Sequence, residues 1–226
     1  MFFDPLYLLI TIPFFLLSMF AAARVKWTFA SMSKIQARMT GAQAARIMLD
    51  RDGLNSVAIE QVAGHLSDHY DPSAKVLRLS QDVYNGRSMS AVGVACHEAG
   101  HAIQDATRYP LLVIRNAAVP IANFGSSAAI YMLIFGAMLQ FKPLIWIGII
   151  GFACVVFFQI VNLPVEFDAS NRARRELVAH GIISAQEEPY VAKVLNAAAL
   201  TYVAATLQAV MTLLYYLLRF AGNDRE

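Results

Sequence analysis

The residues best suited to chemistry are His97-Glu98-Ala99-Gly100-His101, an H-E-x-x-H arrangement. Positions four apart on a helix share a face, so the two imidazoles converge on one divalent ion. Glu98 follows the first histidine and reaches a water on that ion without ligating it. The expected cofactor is one zinc ion, which lowers the pKa of such a water toward neutrality and polarises a peptide carbonyl, while the carboxylate takes the proton. Catalytic zinc usually has three protein ligands and one open position, so a third ligand must come from elsewhere. A histidine six residues after His101 would extend the motif, but Thr107 stands there. His65, His69 and His180 remain, with several carboxylates, of which Glu166 and Asp168 stand out. They lie on a later helical segment that, packed antiparallel against the first, delivers a carboxylate to the metal. Cys96 adjoins His97 but falls on another face of the helix, where it reads as a small buried hydrophobe.

These side chains need particular elements to hold them. The apolar run Ala91-Val92-Gly93-Val94-Ala95 predicts a buried helix, capped by Ser88 or Ser90 and running to about Thr107, with Pro110 ending it. Upstream, Thr40 reads as the N-cap of a short helix through Met48, stopped near Gly53. Residues 57–62 read as a short strand, Gly64 to Pro72 as a loop, and Lys75 to Leu79 as a half-buried strand. Asn85-Gly86 is a turn signal. The strand from Val76 to Leu79 is a candidate sheet edge for docking an extended substrate. A second functional helix begins near Pro164, or continues from the apolar run before it, and ends near His180 with Gly181 as its stop. The expected aqueous part is α+β. His65 and His69 also stand four apart, but Gly64 and Pro72 argue against a helix and so against a second metal site. They read as loop residues shaping the cleft, and His180 as a helix-end cation.

The composition indicates the solvent. Hydrophobic residues make up 58% of the 226 and charged residues only 15%, which favours an integral membrane protein over a soluble domain. Four runs lack charge and are long enough to span a bilayer, at 5–23, 117–141, 143–165 and 194–218. The first reads as an uncleaved anchor, because Asp4 and no basic residue precedes it. The fold expected is mainly α, a polytopic membrane protein with about four transmembrane helices and a small α+β zincin-like cytoplasmic part. That part comprises 24–116, with the H-E-x-x-H helix, and 166–193, with the third-ligand helix. These two pieces lie on one side and hold 15 of the 18 Lys and Arg, against Lys142, Arg219 and Arg225 on the other. The positive-inside rule therefore puts them in the cytoplasm. Cys96 and Cys154 are too differently placed for a disulfide framework.

Longer blocks carry a resemblance. Asp68-His69-Tyr70-Asp71-Pro72, Leu77-Arg78-Leu79-Ser80 and Val83-Tyr84 lead into Val94-Ala95-Cys96-His97-Glu98-Ala99-Gly100-His101-Ala102-Ile103-Gln104. Pro164-Val165-Glu166-Phe167-Asp168-Ala169-Ser170 and Val194-Leu195-Asn196-Ala197-Ala198-Ala199-Leu200-Thr201-Tyr202 follow. Over nearly its whole length the chain resembles the YugP-type family of bacterial membrane zinc metallopeptidases. More distantly it is similar to the CAAX-prenyl and heat-shock membrane peptidases. The resemblance implies a neutral zinc peptidase of the cytoplasmic membrane. It also implies that a glutamate on a later helix, in an E-x-x-x-D pattern, is the third ligand, and Glu166 matches that glutamate. Ser170 stands where the aspartate belongs. Asp168 or Asp105 is then the candidate partner for a ligand's other ring nitrogen, Asp105 because it lies four residues after His101.

The expected activity is zinc-dependent hydrolysis of peptide bonds by a membrane-embedded endopeptidase, with His97, His101 and Glu166 on the metal and Glu98 as general base. The expected partners are a peptide or protein substrate, membrane proteins among them, and the lipid bilayer, with no nucleic acid. Two alternatives differ in testable ways. A site-2-type intramembrane protease would use Asp168 as ligand and not Glu166, although Arg87 and Asp105 make the metal helix too polar for lipid. A catalytically silent scaffold with a retained zinc would have no need of Glu98.

Overall fold

The structure is a computed structural model that describes residues 4–221, apart from the side chains at 121, 123, 124, 126 and 221. Arg225, counted above among the cations of the outer side, and those side chains of the second apolar run lie outside the described residues. The elements in chain order are α1 (Pro5–Met32), α2 (Gly41–Arg51), β1 (Ala58–Val62), β2 (His69–Asp71), β3 (Val76–Ser80), α3 (Gln81–Tyr84), α4 (Met89–Ala106), α5 (Pro110–Met138), α6 (Lys142–Ala179) and α7 (Glu188–Ala221). The fold is mainly helical with one small sheet. Two compact units divide it: Met1–Ala21, Val113–Pro164 and Leu200–Glu226 form the first, Ala22–Leu112 and Val165–Ala199 the second.

The first unit is built from apolar helices. Among the described residues, Pro5–Met32, Lys142–Ala179 and Glu188–Phe220 are long and apolar enough to cross a membrane. The second expected span lies within α5, whose described apolar stretch is the shorter Ser127–Met138. Glycines let α5 and α6 approach as a hairpin. A Cβ on Gly148 would stand 3.0 Å from the Ala129 carbonyl oxygen, and one on Gly136 would stand 2.9 Å from the Ile145 nitrogen. Small residues serve this purpose in lipid, where close packing replaces the hydrophobic drive. Leu133, Ile145, Ile149, Tyr215 and Tyr216 form the buried cluster of this unit.

The second unit carries the sheet, in the order β1-β3-β2, with β1 parallel and β2 antiparallel to β3. Leu77 and Leu79 are fully buried and pack with Val92, Ala95, Ala99 and Leu177 in one core. Arg78 ties the three strands together, its guanidinium 2.6 Å from Asp71 and 3.4 Å from Glu60. Thr40 caps α2 as expected and forms a full capping box with Gln43. Ser88, rather than Ser90, caps α4 by accepting from the Ala91 amide at 3.3 Å.

Three expectations are corrected. Residues 69–71, read as loop, form β2, because ladder bonds to β3 outweigh the weak strand preference of His and Asp. The candidate edge strand Val76 to Leu79 is the central one, paired on both sides, so it cannot accept a further strand. Pro110 does not end α4. That helix stops at Thr107, Arg108 turns the chain at φ 50°, and Pro110 starts α5, where its missing N–H costs nothing. The second functional helix is the continuation of α6, with Pro164 in its interior and Gly181 in the left-handed conformation (φ 65°) just past its end.

Candidate metal centre

Helix α4 buries Met89, Val92, Ala95, Cys96, Ala99, Ala102 and Ile103, and this apolar face fixes its rotation. His97 and His101 then stand one turn apart with ring centroids 4.8 Å from each other. Gly100 lies between them in sequence. A Cβ there would stand 2.8 Å from the Ala169 carbonyl oxygen, so glycine lets α4 and α6 meet backbone to backbone. The facing stripe of α6 is Val165, Ala169, Ala173 and Leu177, all fully buried at intervals of four. Glu166, next to that stripe and itself 3% exposed, points into the contact.

One oxygen of Glu166, Oε2, lies 3.2 Å from Nε2 of His97 and 3.5 Å from Nε2 of His101. These three residues offer ligand atoms that all lie within 4.8 Å of one another. Bond lengths of about 2.0–2.2 Å place two ligand atoms of a tetrahedral zinc site ~3.4 Å apart. Both separations lie close to that edge, so the donor set fits zinc in chemistry and in spacing. Asp168 and Asp105 are not part of it. Among the described residues one other group could hold a metal, Asp52, Glu176 and His180, where His180 Nε2 stands 3.2 Å from Glu176. His65 and His69 do not share a site. His65 pairs with Asp82 at 3.1 Å, and the His69 ring meets the Ser67 carbonyl oxygen at 2.8 Å.

The other ring nitrogens are held too. Nδ1 of His97 stands 3.1 Å from the Ser170 hydroxyl, so the residue at the departed aspartate position still meets a histidine of the pair. Nδ1 of His101 stands 2.9 Å from Oε1 of Gln104. Gln104 Nε2 in turn donates to Asp168 Oδ2 and to the Val165 carbonyl oxygen, both at 2.8 Å. Asp168 therefore reaches His101 only through Gln104, and also accepts from Arg172 at 2.6 Å. Asp105 makes no such contact: it accepts from the Tyr70 hydroxyl at 2.7 Å and pairs with Lys75.

Glu98 is partly buried beside the donor set, and its Oε2 accepts from the backbone N–H of Tyr70 at 3.1 Å. Burial pushes its carboxyl above the ordinary glutamate range, opposed by the nearby imidazoles of His97 and His101. Cys96 is fully buried in the core, and burial alone pushes its thiol far up. Gln104 and Tyr70 were not singled out from the sequence. Gln104 had a signal, since it stands three residues after His101 on the same face. Tyr70 had none, because its partner Glu98 comes from a different element.

A family model described as "Putative neutral zinc metallopeptidase" matches residues 7–221. The chain is 47% identical over 223 residues to "Putative membrane protease YugP" of Bacillus subtilis (strain 168), covering 98% of this chain and 99% of that protein. No solved structure matches the chain. With nearly its full length matched, and with two imidazoles and a carboxylate brought together, the chain belongs to the neutral zinc metallopeptidase family.

Proposed function

We propose that this chain is a membrane-embedded, zinc-dependent metalloendopeptidase that hydrolyses peptide bonds in peptide or protein substrates, membrane proteins among them. The observation that carries the reading is the convergence of His97, His101 and Glu166 on a common point, with Glu98 beside them and held by a backbone N–H. His97, His101 and Glu166 would hold a single zinc ion. When bound, zinc supplies Lewis acidity, lowering the pKa of a water and polarising a peptide carbonyl. Glu98 accepts the proton of the attacking water and passes it to the leaving amine nitrogen. Burial, which raises its pKa, makes it a better proton acceptor than an exposed glutamate. The Tyr70 N–H orients the carboxylate through Oε2. That N–H points to Glu98, so the free edge of β2 runs beside the general base.

Three helices long and apolar enough to cross a bilayer support a membrane setting, as does the name of the Bacillus subtilis relative. The charge distribution supports a fourth span within α5, residence in the cytoplasmic membrane and a catalytic unit on the cytoplasmic side. The site-2-type alternative finds no support, since Asp168 is engaged by Gln104 and Arg172.

The test is metal analysis and peptide hydrolysis by detergent-purified protein. Wild type is expected to carry one zinc per chain and to cleave. Glu98→Gln keeps the zinc and loses activity by about 10²–10⁴-fold, the usual worth of a general base. Metal-free wild type, or a Glu98→Gln protein that cleaves normally, would overturn the reading.

A further inference from the structure

Gln104 is a fully buried carboxamide on a helix buried mostly through apolar side chains. A polar group there is costly unless every donor and acceptor is used. Its bonds go to three places: His101 Nδ1 at 2.9 Å, Asp168 Oδ2 at 2.8 Å and the Val165 carbonyl oxygen at 2.8 Å. The last two partners are oxygens that only accept. The end of the carboxamide facing them must therefore be the NH₂, whose two hydrogens are both consumed. Turning the amide over would set its oxygen against two others. Oε1 must then face His101, and an amide oxygen can only accept, so Nδ1 of His101 carries a proton. That leaves Nε2, the nitrogen facing Glu166, as the ring position for a metal.

The rest of the network holds this orientation. Asp168 accepts from Arg172 at 2.6 Å, and the Arg172 guanidinium lies 5.8 Å from the centre of the Tyr109 ring. Val165 immediately precedes Glu166, so the same amide ties α4 to the backbone of α6 next to the third donor. His97 has no equivalent, because its partner Ser170 is a hydroxyl that can donate or accept and so fixes no tautomer.

We propose that Gln104 is a positioning residue of the metal centre: it fixes the His101 tautomer and sets the register of Glu166 by linking His101 to the Asp168–Arg172 pair and to α6. This rests on the reading of His97, His101 and Glu166 as a zinc site, but the tautomer can be measured without metal.

The first measurement is ¹⁵N NMR of histidine-labelled, metal-free protein in detergent. Nδ1 of His101 is expected to be protonated in wild type. A bare Nδ1 with the proton on Nε2 alone would overturn the proposal, whether or not the protein binds zinc. The second compares Gln104→Leu with Gln104→Glu by chelator competition for Zn²⁺, with thermal melting of the metal-free forms as a check on folding. Leucine fills similar volume but offers no acceptor, and is expected to weaken zinc about 10–100-fold, as loss of such a partner typically does. Glutamate keeps an acceptor for His101 and, protonated on its other oxygen, a donor to Asp168, so it is expected to retain most of the affinity. If only packing matters, leucine will equal or exceed glutamate in zinc affinity, and the proposal fails. If neither variant folds, the wild-type spectrum decides. Wild type without zinc affinity but with a protonated Nδ1 would sink the metal reading and leave the role of Gln104 toward His101 standing.

Discussion

Glu166 and Asp168 stand two residues apart on α6 and differ in what surrounds them. Glu166 is 3% exposed and faces two imidazoles, whereas Asp168 is bracketed by an amide and a guanidinium. Their neutral variants should therefore diverge. Glu166→Gln removes a charged donor from the set and is expected to weaken zinc by more than the roughly 10–100-fold typical of an outer partner. Asp168→Asn keeps an oxygen for Gln104 and loses only the charge toward Arg172, so its zinc affinity should fall by less. Equilibrium competition with a chelator reads both, and the reverse order would remove Glu166 from the ligand set. The histidine pair and Glu98 were legible from spacing alone, and Glu166 from resemblance. Gln104 was not, because its meaning depends on Val165 and Asp168, which only the packing of α6 against α4 brings near.

At the scale of elements, the site exists because α4 and α6 touch at Gly100 and Ala169. Gly100→Ala puts a methyl group 2.8 Å from a backbone oxygen that cannot yield as a side chain would. The helices must separate, and destabilisation of about 1–3 kcal/mol is expected, as for other overpacked cores. Zinc affinity should fall with it, since Glu166 retreats from both histidines. Unchanged melting and zinc affinity would show that the helix contact does not set the site. Thr40→Ala is the contrasting case. It removes the capping box of α2 and should cost about 1 kcal/mol, read as a lowered melting temperature, with zinc stoichiometry unaffected. Helix α4 was readable from its serine cap and apolar run, and α2 from its cap at Thr40. The sheet order was not: a three-residue strand of His, Tyr and Asp has no pattern of its own, and β3 supplies its pairing.

For the whole molecule, sidedness turns on α5. Its apolar character and the lone Lys142 between it and the next apolar run argue for a hairpin that exposes this turn on the side opposite the site. Alkaline phosphatase fused after Gln140 is expected to be active, and the same reporter fused after Thr107 inactive. The opposite pattern would invert the proposed topology and move the catalytic unit out of the cytoplasm.

The order of residues alone determined what is local: an i, i+4 histidine pair with its carboxylate, the cap at Thr40, a serine cap at 88 or 90, the stop at Gly181 and the long uncharged runs. Each depends on neighbours within a turn or on composition over a segment, and needs no knowledge of distant partners. Tertiary structure decided which acid meets the histidines, which strand lies at the centre of the sheet, and which polar side chain orients His101. Those outcomes depend on contacts between residues about 28 to 69 positions apart, and a close helix crossing selects among several chemically equivalent candidates.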